Sequence, residues 1–473
     1  MKKQDVILLD LCIDDNGYGF AASALSKAET ELNELEEQIN ETLETINQLT
    51  PNCDKFDYIL AAASGALCGL IDIFLVGKPG ESPLGNITDK WFENRIKDFA
   101  GLCGWKGTDS TSSAVRFLEN QFKIPYDQRG AGDAASEVFG LSPKNHHFKS
   151  LAHNPTLLGL FFSILDQFTN SSHFISDGQL ISLDHADGSF ELHGNDIPSK
   201  LFCAFANWIG HLISDMSGSS QSKGRGMGIP SPFLAWSNDV IAIKRKLNIP
   251  VNSFDKAMNE MALKMYEQGF DFRFQTAQAI PVFINEMVVR LVYSIRRLIK
   301  YFAGTESKKY SFSSMWKVCE PFSNATVKRM LTVAHGTFCL VDIGDATVRS
   351  FITGTFNPAE FCLRLNIIGI GRFGISLYGE IKRGIRLNET KIELHFLERK
   401  KPIVLDYIEG LKMLDDIYKD RHLLTFIDDF QNSDLYTEAF QKSVILAEKR
   451  NVPSNKILKS KADIDKYFKG GKK

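Results

Sequence analysis

The chain lacks any disulfide or zinc framework. Its eight cysteines in 473 residues (positions 12, 53, 68, 103, 203, 319, 339 and 362) are scattered and form no C-x-x-C pair. That usage predicts reduced, buried thiols in a cytoplasm. An excess of one charge is also missing. Lysine and arginine number 55 against 57 acidic residues, a formal net charge of −2, so nothing global attracts nucleic acid. The opening MKKQDVILLDLCIDDNGYGF has its apolar run interrupted by Asp5 and Asp10 and followed by Asp14 and Asp15. No small-residue cleavage site follows, so a secretory signal is not expected. G-x-S-x-G, H-E-x-x-H and Cys/His nucleophile patterns are absent, which removes the commonest hydrolase signatures. A mean hydropathy of −0.14 is low for a multi-spanning membrane protein. With 44% hydrophobic and 24% charged residues, wholesale disorder is excluded.

What the chain does have is helical periodicity. Residues 21–49 place Leu25, Leu32, Leu35, Ile39, Leu43, Ile46 and Leu49 at spacings of three, four and seven, with glutamates on the other faces. A bundle helix or a short coiled-coil arm fits this stripe, and self-association through 21–49 is one partner it implies. Further helices are expected at 90–104, 112–122, 156–168, 199–216, 254–272 and 279–302. A β-hairpin near 173–194 is marked by two Asp-Gly steps. KIELHFLE, 391–398, alternates as a strand does. The fold class is therefore mainly α: a large helical bundle packed through small residues, with a minor β-hairpin insertion. Three regions follow: 1–50 with the acidic helix, 51–385 as the central helical domain, and 386–473 as a helical end with a basic tail.

The apolar peak is AAASGALCGLIDIFLVG, 61–77. From Tyr58 to Gly77 it has about the twenty residues that a bilayer requires. Asp72 opposes insertion by about 2.5–3.5 kcal/mol, while each Leu, Ile, Phe or Val favours it by only about 0.3–0.6 kcal/mol. A core helix, a conditional membrane-entry helix and a constitutive span all stay open. Ala61, Gly65, Gly69 and Gly77 recur at four-residue steps, with Ile73 between the last two, which suits close helix packing. Asp72 would then need a partner, an arginine or a helix N-terminus by preference. ASGALCGLID (63–72) and AHGTFCLVD (334–342) share Ala-x-Gly-x-x-Cys and a following Asp with one gap. They are read as two instances of one packing solution.

Several constellations are candidates for chemistry. GIGRFG supplies Gly369, Gly371 and Gly374 in G-x-G-x-x-G order. If CLRLNII were a strand, Glu393 would stand where a ribose-binding acid is expected; a glycine-rich core helix is the alternative. SGSSQSKGRGMG, 217–228, with Lys223 and Arg225, has the composition of an anion-binding loop without the P-loop order. His146, His147 and His153, with His211 and Asp215, form the best metal or acid–base set. His211 and Asp215 share a helix face at i, i+4, but nothing in the sequence joins the two segments, and no metal or cofactor is assigned. His335, Asp342 and Asp345 form a weaker set. Arg290, Arg296, Arg297 and Lys300 lie along an amphipathic helix, Ile284–Phe302, suited to an anionic membrane surface. Aromatics do not interleave with them, so nucleic acid is not favoured.

The segments NHHFKSLAHNPTLLGLFFSILDQFT, KLFCAFANWIGHLISDMSGSS and LRLNIIGIGRFG resemble a family of bacterial hypothetical proteins, over about residues 57–380. The resemblance implies a bacterial origin and brings no activity, cofactor or catalytic residue. The functional expectation is a non-catalytic helical protein, cytoplasmic or conditional at the inner membrane, that associates with or enters lipid. An effector role in stress or phage defence is a setting no residue pattern demands. Two alternatives stand beside it: a nucleotide- or metal-dependent enzyme using GIGRFG or the His211/Asp215 pair, and a soluble oligomeric scaffold.

Overall fold

Capping residues set many of the element boundaries. The computed structural model describes residues 15–107, 110–125, 146–184, 192–216, 218, 228–304, 311–352, 354–422, 425 and 436–469. These hold sixteen α-helices and one two-stranded sheet, so the chain is mainly α. In order they are α1 (Asp15–Leu49), α2 (Lys55–Ile71), α3 (Pro83–Leu102), α4 (Thr111–Gln121), α5 (His146–Lys149) and α6 (Leu157–Thr169). Then come β1 (Ser171–Ser176), β2 (Gln179–Asp184), α7 (Ile197–Asp215), α8 (Pro232–Lys246), α9 (Ser253–Glu267) and α10 (Phe272–Gly304). Last are α11 (Phe312–Cys319), α12 (Ala325–Ser350), α13 (Pro358–Arg364), α14 (Ile367–Lys419), α15 (Tyr436–Lys449) and α16 (Lys461–Lys469). Asp54 opens α2 with a capping box to Asp57, and Ser82 caps α3 with Pro83 at its first position. Both devices satisfy backbone N–H groups that a helix start leaves unpaired.

The chain divides into two compact units, 1–50 with 383–473, and 51–382. The first and last segments, read separately in sequence, thus share a unit. In it, Ala28 and Leu35 of α1 share one core with Leu397, Val404, Ile408 and Leu411 of α14. The buried positions recur every seven residues, at 28, 35 and 42 on α1 and at 383, 390, 397, 404 and 411 on α14. That is coiled-coil spacing. The order is antiparallel: Arg383 donates to the Leu49 carbonyl, while Lys401 pairs with Glu36 and Lys412 approaches Glu29. Much of the 21–49 stripe is therefore covered by the same chain. KIELHFLE lies inside this helix. Its alternation is local, and the seven-residue spacing of Thr390 and Leu397 decides the conformation.

In the unit 51–382, α2, α10, α12 and the start of α14 form a bundle. Ala61, Val289, Tyr293, Val327, Met330 and Ala334 make one layer of its core. Cys68, Val282, Phe338 and Cys339, with Ile368 and Phe373, make the next. Gly65 and Gly69 face α12, where a Cβ on Gly65 would lie 2.1 Å from the Ala334 carbonyl oxygen and one on Gly69 would lie 2.9 Å from Val341. The two sequence-similar segments are thus opposite sides of one helix crossing. Gly77 plays a different part: it closes the π-helical turn Asp72–Val76 at φ +60°, a conformation that suits glycine.

A second group of helices packs around α4 and α7, where Ile96, Ala100, Ala114, Val115 and Leu118 meet Ile213 and Met216. The hairpin joins it through Ile175, which shares a core with Leu151, Phe162 and Ile241. Its strands pair from Ser171↔Asp184 to Ser176↔Gln179. Asp177 and Gly178, both at positive φ, form the turn that an Asp-Gly step favours. The second Asp-Gly step, at 187–188, lies outside the described residues.

The packing of α10 is inverted relative to its apolar stripe. Its apolar stripe at Phe283, Met287, Leu291, Ile295, Ile299 and Phe302 is exposed, while the buried side carries Gln275, Gln278, Val282, Asn285, Val289 and Tyr293. The outer surface of α2 and of the π turn after it is similar, with Ile59, Leu67, Leu70 and Phe74 exposed.

Candidate functional site

Two short segments far apart in sequence meet at a buried cluster. His147 on α5 and His153 in the 3-10 turn Leu151–His153 face His211 and Asp215 on α7. One ligand atom from each lies within 4.8 Å of all the others. His153 Nε2 is 3.1 Å from His211 Nε2, His147 Nε2 is 3.3 Å from Asp215 Oδ1, and His211 Nε2 is 3.5 Å from Asp215 Oδ2. His153, His211 and Asp215 are each at most 4% exposed. The side chain of His146 lies outside the described residues.

The local fold explains the orientation of His211. Gly210 has no side chain, and a Cβ there would lie 2.1 Å from the Phe122 ring. The glycine lets Phe122 lie against α7 and brings its carbonyl within 3.2 Å of His211 Nδ1. A carbonyl only accepts, so Nδ1 carries the proton and the neutral ring presents the Nε2 lone pair to the cluster. Burial pushes the His211 imidazolium down to about 4, so the ring is neutral near pH 7. Burial pushes the Asp215 carboxyl well above its ordinary range, and the nearby charge of Glu119 adds to this. Such a carboxylate favours any added positive charge.

A second polar cluster lies inside the helix bundle. Asn366, fully buried, stands at the 70° bend between α13 and α14. Its Nδ2 donates to Asp72 Oδ1 at 2.6 Å and to the Gln278 carbonyl at 3.0 Å, and its backbone N–H donates to Asp342 Oδ2 at 2.9 Å. Its Oδ1 accepts from the Gly369 N–H, capping α14. The partner of Asp72 is thus an amide, where an arginine or helix N-terminus was expected. Midway along the bundle, Glu286 bonds Arg372 and pairs with Arg290 at 3.2 Å, and His335 Nε2 lies 3.5 Å from it. His335 and Asp342 therefore serve different clusters, and Asp345 pairs with Arg349 at 2.8 Å.

The basic set is occupied by protein carboxylates. Arg296 bonds both Asp54 and Asp57, Arg297 donates to Asp57 at 2.7 Å and Lys300 to Asp54 at 3.0 Å. Arg290 donates to the Pro321 carbonyl at 2.5 Å. Asp54, Asp57, Arg296, Arg297 and Lys300 form an ionic collar at one end of the bundle. Lys78 with Glu360, and Arg364 with Glu360, form another near the α13 end.

The dinucleotide reading of GIGRFG is corrected by the fold. Residues 358–364 are helical and Gly369, Gly371 and Gly374 lie within α14, as does Glu393. Helix flanks the glycines on both sides, at 358–364 and through 419, so the strand–turn–helix that aims N–H groups at a pyrophosphate is not formed here. Gly369 instead packs under Phe338, and Gly371 and Gly374 have open space where a Cβ would stand. The Ser217–Gly228 loop, with Lys223 and Arg225, lies largely outside the described residues.

Asn366, Glu286 and a buried His173–Asp166 pair at 2.5 Å were not singled out from sequence. An asparagine just before an apolar helical run is an N-cap signal, and it marks Asn366 in LRLNIIGIG. The other two left no local signature. No protein-family model matches the chain, no curated protein matches it, and no solved structure matches it.

Proposed function

We propose that this is a membrane-resident helical protein in which α2 and α10 enter the lipid and the second helical group, with the histidine cluster, remains in water. The observation that carries the reading is the outward apolar stripe of α10. Six large apolar side chains from Phe283 to Phe302 stand exposed at three- and four-residue steps, while Gln278 and Asn285 are buried. Covering six such side chains would stabilise the protein by roughly 5–10 kcal/mol, and soluble monomers seldom leave a continuous apolar stripe bare.

Dimensions support the same reading. Among the described residues two helices, Lys55–Val76 and Phe272–Gly304, are long and apolar enough to cross a membrane, and α13 with α14 passes as one interrupted span. At about 1.5 Å per residue, 22 residues reach about 33 Å, against a hydrocarbon core of about 30 Å. The ionic groups around Asp54 and Arg296, and those around Lys78 and Glu360, stand at opposite ends of the bundle, where headgroups and water would meet them. Charges between the ends point into the bundle, as Glu286 and His335 do. Small-residue contact at Gly65 and Gly69 replaces the hydrophobic driving force that lipid removes.

The test is fractionation of cells expressing the full chain, followed by an alkaline carbonate wash. Retention in the washed membrane pellet is the expected result. A chain found in the soluble fraction, monodisperse without detergent, would return the soluble scaffold to first place.

A further inference from the structure

The structure assigns a divalent transition-metal site, of zinc type, to His147, His153, His211 and Asp215. Nothing in the membrane reading requires it, and it stands on geometry of its own. A tetrahedral zinc ion with bonds of about 2.0–2.1 Å to nitrogen and oxygen sets its ligand atoms about 3.3–3.4 Å apart. The distances here of 3.1, 3.3 and 3.5 Å lie around that edge, and all four ligand atoms gather within 4.8 Å.

The hydrogen bonds around this cluster leave one buried carboxylate oxygen over. His211 gives its proton to the Phe122 carbonyl through Nδ1. Its Nε2 lone pair then faces His153 Nε2 at 3.1 Å and Asp215 Oδ2 at 3.5 Å. Oδ2 is buried with no hydrogen-bond donor among the described residues. A cation held among the ring nitrogens gives that oxygen a partner, and the Phe122 carbonyl becomes the outer partner that fixes a metal-bound imidazole. Three imidazoles and one carboxylate suit zinc better than magnesium or calcium, which prefer all-oxygen sets.

Four protein ligands fill a tetrahedron and leave no position for a substrate, so the ion acts as a structural staple. It ties the 146–153 segment to the end of α7, two stretches joined by no β-ladder. A zinc site of this type contributes folding energy directly.

The experiment uses the full chain in detergent, purified without a metal-chelating tag, with metal content read by mass spectrometry. About one zinc-type ion per chain is expected. His211→Gln and Asp215→Asn should each lower occupancy by about tenfold or more, while His193→Gln, at an exposed histidine outside the set, should leave it unchanged. Because either site variant can also unfold locally, the wild-type chain is read separately: it is stripped with chelator and titrated with cobalt(II). Visible bands of tetrahedral cobalt that saturate at one equivalent and vanish on adding zinc support the site. Wild-type protein with only trace metal and no saturable cobalt spectrum overturns it.

Discussion

Gly65 and Ala334 approach so closely that a single added methyl group would lie 2.1 Å from the alanine carbonyl oxygen. The obstacle is helix backbone and cannot rotate aside. Gly65→Ala should therefore force α2 away from α12 and cost about 1–3 kcal/mol, as overpacking does. Gly371→Ala is the matched control, since nothing lies within 4 Å of its Cβ position. There the better helix former should leave stability unchanged or raise it by up to about 1 kcal/mol. Thermal unfolding of both variants measures the contrast, and a strong loss at Gly371 would revive a ligand-binding role for the glycine run.

Leu291→Lys tests the environment of α10 without touching a core. The side chain is 58% exposed, so in water the change should fall within about 0.5 kcal/mol of neutral. In a bilayer the same lysine opposes insertion by roughly 2.5–3.5 kcal/mol. The expected outcome is a clear loss of membrane-integrated protein in the carbonate-washed fraction. Unaltered membrane retention would remove Leu291 from the lipid-facing surface.

Asn366 holds two carboxylates and a helix start at once. Asn366→Ala removes the cap, worth about 0.5–2 kcal/mol, and also leaves Asp72 and Asp342 each with a lost or loosened donor. A total cost of about 2–5 kcal/mol follows, because buried polar groups without partners are expensive. Hydrogen exchange should show faster opening of the first turns of α14. An exchange pattern like that of the wild type would mean that the bend is held by packing alone.

Acid stability should depend on the collar at Asp54. Hydrogen bonds from Arg296, the Asp57 backbone and Lys300 hold its carboxyl well below the ordinary 3.8. A carboxyl depressed in the folded state contributes stability that is present above the unfolded value and is lost as pH falls through the folded one. Thermal midpoints should therefore decline as pH drops below about 3.8. Arg296→Gln should lower stability near neutrality and flatten that decline. A variant whose pH profile parallels the wild type would show that the pair is screened to insignificance.

In the unit 1–50 with 383–473, Leu35 is 2% exposed against Leu397 and its neighbours. Leu35→Ala should cost about 2–5 kcal/mol in that unit. Limited proteolysis of the α1 segment reports it, and protection equal to wild type would place the packing elsewhere.

Helices α1, α3, α4, α6, α7, α9 and α10 were legible, because spacing at three, four and seven survives in single sequences. The direction of a face was not. For α10 the period marks one apolar stripe, yet periodicity does not say which side of the helix packs on protein, and the burial of Asn285 and Gln278 shows that it is the opposite side. KIELHFLE misled because four alternating positions outweighed the longer repeat of 383, 390, 397, 404 and 411. The histidine segments could be named but not joined: His153 and His211 are 58 residues apart, and the packing of the Leu151–His153 turn against α7 brings them together. Gly77 looked like one more packing glycine, whereas its positive φ depends on the π turn before it.

The coiled coil of α1 and α14 is graded along its length. Toward one end its seam holds Leu35, Leu397, Val404 and Leu411; toward the other it holds Thr42, Thr390 and Arg383. Apolar seams resist separation and polar ones yield, so the pair behaves as a zipper with a loose end and a tight one. Fluctuations that part the two helices begin at the threonines and stall at the leucines. Any ligand or modification that strengthens the threonine end would therefore stiffen the whole rod with little new contact.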